Sequence, residues 1–114
     1  MKRVAIPLVE DRLSEYFGKC SYYEIFEIDH KTIKSSKIGI PSHQDMNKIP
    51  DWVMEKAITD VIIHKMDKKI FALLADTKIN LFVGIPIDTP DTIIQRYLTG
   101  SLKSDTKIIG EITQ

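Results

Sequence analysis

Few residues in this chain could do chemistry: a single cysteine, Cys20, and three histidines, His30, His43 and His64. Cys20 closes the stretch Ser14-Glu15-Tyr16-Phe17-Gly18-Lys19-Cys20, which follows one strand-like run and ends where another begins. Thiolate and imidazole are the soft and borderline donors that hold iron, zinc or a sulfur-bearing cluster. No close-spaced Cys/His pair of the kind that defines a zinc site occurs, so spacing alone names no metal. A lone cysteine excludes an internal disulfide and agrees with a reducing compartment. Each candidate also has a plainer reading. Free cysteine packs as a compact hydrophobe, and for Cys20 that reading outweighs ligation. His43 reads as a solvated loop residue, and His64, at the end of an apolar run, as a hydrogen-bonded histidine more readily than a ligand. Tyr16 and Phe17 read first as a loop anchor on the core, and Gly18 as a position needing unusual dihedrals or close backbone approach.

The elements that must position these residues alternate along the chain. Val4 to Val9 reads as a first strand with Pro7 near its exit, where a missing backbone donor matters least. Tyr22 to Asp29 and Thr32 to Ile40 read as a hairpin turning at Asp29-His30-Lys31. The polar, lysine-bearing second arm of that hairpin suits an exposed sheet edge. Ile49, Trp52, Val53, Ala57 and Ile58 share one helical face. Asp60 to His64 contains Val61-Ile62-Ile63, the continuous apolar run of a parallel strand covered on both sides. Asp67 caps a helix that gathers Ile70, Phe71, Leu73 and Leu74 on one side, and Ile79 to Ile85 supplies a fifth strand. The last helix is marked by Thr89 at the cap, Pro90 at the first position and Asp91 in the first turn. Ile93, Ile94, Tyr97 and Leu98 form its apolar face, and Gly100 lies just past its end.

The expected fold class is therefore α/β, in the order β-β-β-α-β-α-β-α. Right-handed crossovers give a five-stranded mixed sheet with strand order 3-2-1-4-5 and only the second strand reversed. This three-layer sandwich resembles the ribonuclease H-like motif. The 114 residues fit one domain, taken as residues 1–103, followed by a C-terminal tail, 104–114, whose Ile108, Ile109 and Ile112 could dock or swap. Sixteen basic and sixteen acidic residues cancel, so the footprint of a general nucleic-acid binder is missing. No apolar run approaches the roughly 18 residues of a membrane span. Met1-Lys2-Arg3 leads directly into Val4-Ala5-Ile6 without the long apolar segment of a secretory signal, and the cytoplasm is the expected location.

Strands one, three, four and five point the same way, so the segments after them, and the one entering strand two, emerge at one edge. Residues 10–21, 41–49, 64–67 and 85–89 meet there, and open α/β sheets bind ligands at such an edge. Cys20, His43 and His64 could converge on it as metal ligands, whereas His30 turns at the opposite end. Helix amino ends at this edge favour an anionic guest. Arg12, Lys19, Lys48 and Lys65 add to that tendency, while Glu10, Asp11, Glu15, Asp45 and Asp88 oppose it.

Val4-Ala5-Ile6-Pro7, the loop Ser14-Glu15-Tyr16-Phe17-Gly18, Tyr23 to Asp29, Asp60-Val61-Ile62-Ile63, Ile79 to Gly84, and Tyr97-Leu98-Thr99-Gly100-Ser101-Leu102 follow one another in an order that resembles the dinitrogenase iron-molybdenum cofactor biosynthesis family. This resemblance covers roughly residues 1 to 103, and its specificity lies in the order and spacing of individually loose motifs. The resemblance implies a nonenzymatic carrier for an iron-sulfur or iron-molybdenum cluster or its precursor, with Ser14, Tyr16, Phe17, Gly18, Cys20 and His43 at the cofactor. It also implies a metal cluster or small anionic ligand as guest and cluster-assembly proteins as partners, with a homodimer as a further candidate. The chain departs from the family pattern in three places. Tyr16 stands where the family has histidine, no glycine lies between Pro41 and Ile49, and the turn after the fourth strand reads His64-Lys65-Met66-Asp67. A second reading is accordingly a divergent member without cofactor that serves as a protein-interaction or regulatory module. A metal-dependent nuclease is disfavoured, because such chemistry wants carboxylates on the first strand and Val4 to Val9 carries none.

Overall fold

In the computed structural model, which describes residues 2–17, 22–30, 32–39 and 49–113, the sheet grows outward from β1 (Lys2–Val9). Alternation sends Val4, Ile6 and Leu8 to one face and Ala5 to the other. β1 turns back at once into the short β2 (Arg12–Leu13), with Val9 opposite Arg12. The two residues between them, Glu10 and Asp11, both take left-handed backbone, φ 52° and 62°. A two-residue hairpin whose centre is left-handed matches strand twist. The sequence offered no Asn-Gly or Asp-Gly signal for it, and this hairpin was not expected.

β3 (Tyr22–Asp29) runs antiparallel to β1, with Ala5 opposite Ile25, and β4 (Thr32–Gly39) runs antiparallel to β3. The tight turn between them has His30 in left-handed backbone, φ 53°. β5 (Asp60–Ile62) and β6 (Asn80–Phe82) extend the other flank in parallel. The resulting path β4-β3-β1-β5-β6 is the expected strand order, with β2 as a spur on β1. Pro7 is accommodated because the pairing of β1 with β5 ends at Ala5↔Val61, two residues before it.

α1 (Ile49–Glu55), α2 (Lys68–Ala75) and α4 (Thr106–Thr113) cover one face, and α3 (Pro90–Leu98) covers the other. Val53, Ile70 and Leu74 close on Ala5, Ile25, Val61 and Ile63 in one core, while Ile93 and Ile94 close on Val4, Ile6, Leu8 and Ile62 in the other. α1 stops earlier than its apolar pattern suggests. Ala57 takes φ 55° and is exposed, rather than joining the buried face. Its N–H donates to Met54 O (3.1 Å) and that of Ile58 to Val53 O (2.9 Å), a Schellman closure built without glycine. Asp67 caps α2 by accepting from Lys69 N, and Thr89 caps α3, as the sequence suggests.

The segment after Gly100 is part of the fold. Ser104 Oγ accepts from Val83 N (3.0 Å), Asp105 N donates to Val83 O (2.8 Å), and α4 follows. Its Ile108, Ile109 and Ile112 pack on the core shared with α2. Gly84, at φ 78°, permits this seat: a β-carbon there would lie 2.6 Å from that of Asp105.

Candidate functional site

The carboxyl edge of the sheet continues past the strands as a belt of backbone hydrogen bonds. Ser14 N donates to Pro7 O (2.8 Å), Lys65 N to Glu15 O (3.1 Å) and Phe17 N to Lys65 O (2.8 Å). Tyr16 and Lys65 thereby form an isolated parallel bridge. On the next side, Gly84 N donates to His64 O (2.9 Å) and Ile85 N to Ile63 O (3.2 Å), and Leu13 N reaches Asp88 O (3.0 Å). The loops after β2, β5 and β6 are thus zipped to one another, and the rim they form is a rigid extension of the sheet.

Within this rim the expected residues separate by task. Ser14 is 3% exposed and its hydroxyl donates to Tyr16 O (2.8 Å), so it braces the loop. Phe17 is likewise 3% exposed and packs against Tyr23 with ring centroids 6.0 Å apart, the anchor role its type suggests. Between them Tyr16, 44% exposed, and Glu15 are what the loop presents outward. His64 is half-buried, with Nδ1 2.9 Å from Ile85 O. A carbonyl only accepts, so Nδ1 carries the proton of that bond. The lone pair of the neutral ring therefore sits on Nε2, the arrangement found in ligating histidines. Gly18, Cys20 and His43 lie outside the described residues.

Beside Tyr16 the rim opens into a cleft of about 250 Å³. Residues 65–68 form one wall and Glu111 and Ile112 of α4 another. The first turn of α2 lies in this wall, and the Asp67 carboxylate that caps it also lines the space. Among the described residues no three histidine, cysteine, aspartate or glutamate side chains converge tightly enough to hold a metal ion. Donors from these residues alone therefore do not make a closed coordination shell, and a cluster held here would need Cys20 or His43 as well. The sequence offered docking of Ile108, Ile109 and Ile112 as one alternative, but not α4 as a wall of this cleft. The signal was present: Asp105 followed by Ile108, Ile109 and Ile112 is a cap and an apolar helical stripe. Lys68 and Glu111, both polar and both on short helices, carried no signal of their own.

The opposite edge is structural. Asp60, 1% exposed, accepts from Thr59 Oγ1 (2.6 Å) and Asn80 Nδ2 (3.2 Å). Burial, followed by the charge of the Asp60 carboxylate, pushes the Tyr97 phenol up to about 12. Arg3 pairs with Glu27 and donates Nε to Lys56 O (2.8 Å), which ties β1 to β3 and to the end of α1. No described helix is long and apolar enough to cross a membrane.

Comparison with known proteins agrees with this architecture. A family described as dinitrogenase iron-molybdenum cofactor matches residues 1–100. Among solved structures, that of PH0822 superposes with a TM-score of 0.79 at 20% identity, covering 90% of this chain and 94% of the other. The crystal structure of MJ0327 from Methanocaldococcus jannaschii gives 0.72 at 20% identity, over 90% and 93% of the two chains. The apo form of the orange protein from Desulfovibrio gigas gives 0.72 at 17% identity, over 92% and 93%. At these identities the structural likeness establishes the fold. Against curated protein sequences the chain has no significant match.

Proposed function

The chain belongs to the dinitrogenase iron-molybdenum cofactor family, and from that premise we propose that it is a nonenzymatic carrier whose cargo is an iron-sulfur or iron-molybdenum cluster or its precursor. The observation that supports this reading is the rim itself, where the loops after β2 and β5, joined by backbone hydrogen bonds, flank an open cleft together with α4. A carrier needs a rigid, solvent-accessible seat and no group poised for bond cleavage. Cys20, two residues beyond the Phe17-Gly18 pair, supplies the soft thiolate donor, with His64 Nε2 and His43 as imidazole donors. Tyr16 borders the cargo from the loop that Ser14 and Phe17 hold in place. Cluster-assembly proteins are the partners such a carrier would meet.

Anaerobic reconstitution of the purified chain with iron and sulfide tests this. The reading expects bound iron with visible absorption, lost in Cys20→Ser. A clean apo spectrum without bound metal overturns it.

One observation favours the second reading, a family member that has lost its cofactor and acts as an interaction module. Tyr16, at the expected histidine position, turns outward and is 44% exposed. Phenol is a poorer neutral donor than imidazole, so Tyr16→His restoring metal uptake to an inert wild type would select this version. The nuclease reading lacks support at the sheet, since β1 reads KRVAIPLV and the two buried carboxylates among the described residues join no cluster of acidic or histidine ligands: Glu24, on β3, stands opposite Ile6, and Asp60 sits at the far edge with its oxygens engaged.

A further inference from the structure

Lys65, Lys68 and Glu111 line the rim cleft, and none of the three side chains forms an ion pair or hydrogen bond with another described residue. The remaining charged group there, Asp67, is committed to the cap of α2 through Lys69 N (2.8 Å). The cleft thus sets two lysines from the β5–α2 segment on one wall and a glutamate from α4 on another, none of them paired with a described residue. That carboxylate comes from residues beyond the 1–100 span matched by the family.

Its position is fixed by the fold. α4 is held at its start by Val83 through Ser104 and Asp105, over the missing side chain of Gly84. Asp105 then caps the helix, Oδ1 accepting from Lys107 N (2.9 Å). Six residues of helix advance the chain roughly 9 Å from Asp105 to Glu111, which brings the carboxylate from the seat at Gly84 to the cleft.

We propose that Glu111 is a specificity-determining residue of this cleft, which discriminates against compact inorganic anions. A small dianion drawn to Lys65 and Lys68 meets the Glu111 carboxylate across the same cleft, and a like charge on the facing wall weakens binding. A larger cargo with donor contacts elsewhere on the rim can seat without pressing charge against α4. Selectivity of this kind keeps abundant free oxyanions out of the seat. The inference rests on the carrier reading for its biological sense, but its electrostatics can be measured separately.

The test is a sulfate titration of the full-length chain at low ionic strength, followed by amide shifts of Lys65 to Lys69. Wild type, Glu111→Gln, Glu111→Asp and the double variant Glu111→Gln/Lys65→Gln are compared. Glu111→Gln is expected to bind sulfate about three- to tenfold more tightly than wild type. Glu111→Asp should stay near wild type, and the double variant should lose the gain. Unshifted Gly84 and Asp105 amides check that α4 remains seated. Equal affinity of wild type and Glu111→Gln, or no sulfate binding by any variant, overturns the proposal. Iron and sulfide uptake by the wild type judges the carrier reading independently of either result.

Discussion

Replacing Gly84 with alanine should unseat α4, and two other glycines provide internal controls. At Gly84 the added β-carbon would lie 2.6 Å from Asp105 Cβ and 3.2 Å from Ile108 Cβ, with φ at 78°. The left-handed backbone alone costs an alanine about 1–2 kcal/mol, and overpacking adds about 1–3 kcal/mol. A total of about 2–5 kcal/mol is expected, enough to lower the urea midpoint clearly without unfolding a domain of ordinary stability. Gly100 has nearly the same φ, 74°, but open space where its β-carbon would be, so Gly100→Ala should show the backbone cost alone, about 1–2 kcal/mol. Gly110 is helical, without a positive φ and with nothing within 4 Å of the added atom, so Gly110→Ala should stabilise by about 0.5–1 kcal/mol. Urea unfolding of the three variants, with hydrogen exchange of α4 amides in Gly84→Ala, reads the differences. If Gly84→Ala and Gly100→Ala cost the same within about 0.5 kcal/mol, the close approach of α4 is refuted.

Asp60→Ala should destabilise by about 1–3 kcal/mol in urea, because the buried carboxylate's hydrogen bonds from Thr59 and Asn80 are lost. The Tyr97 phenol is raised to about 12 in the fold, above its ordinary 10.0, so the folded state holds that proton more tightly. Stability from this group is complete below pH 10 and falls as pH rises towards 12, and Tyr97→Phe should remove that part of the alkaline slope in thermal melts. Asp67→Ala should cost about 1 kcal/mol in chemical unfolding through loss of the α2 cap.

Strand order, the caps at Asp67 and Thr89 and both cores were legible in the sequence because each rests on a local pattern. Val61 and Ile62 of the apolar run lie in a strand paired on both sides, and the Thr89-Pro90-Asp91 sequence opens α3 where it should. What escaped depends on backbone geometry that side-chain type reports weakly. Glu10 and Asp11 adopt left-handed turns without glycine or asparagine, and Ala57 does the same at the end of α1. Pairing of Glu15 and Phe17 with Lys65 uses main-chain atoms alone, so no residue type announces it. Tyr16 and His64 do share the rim, as chain direction implied. The cap and stripe of α4 are visible in the sequence, but so short a stripe reads equally well as docked or free, so its place as a wall of the cleft was not legible.

The most direct test of the account is where a bound cluster sits. After anaerobic loading with iron and sulfide, paramagnetic broadening of amide signals should centre on Glu15 to Phe17 and His64 to Asp67. Thr32 to Ser35 and Asn80, away from that rim, should keep sharp signals. Bound metal that broadens the Asn80 edge while leaving Tyr16 and Lys65 sharp would contradict it.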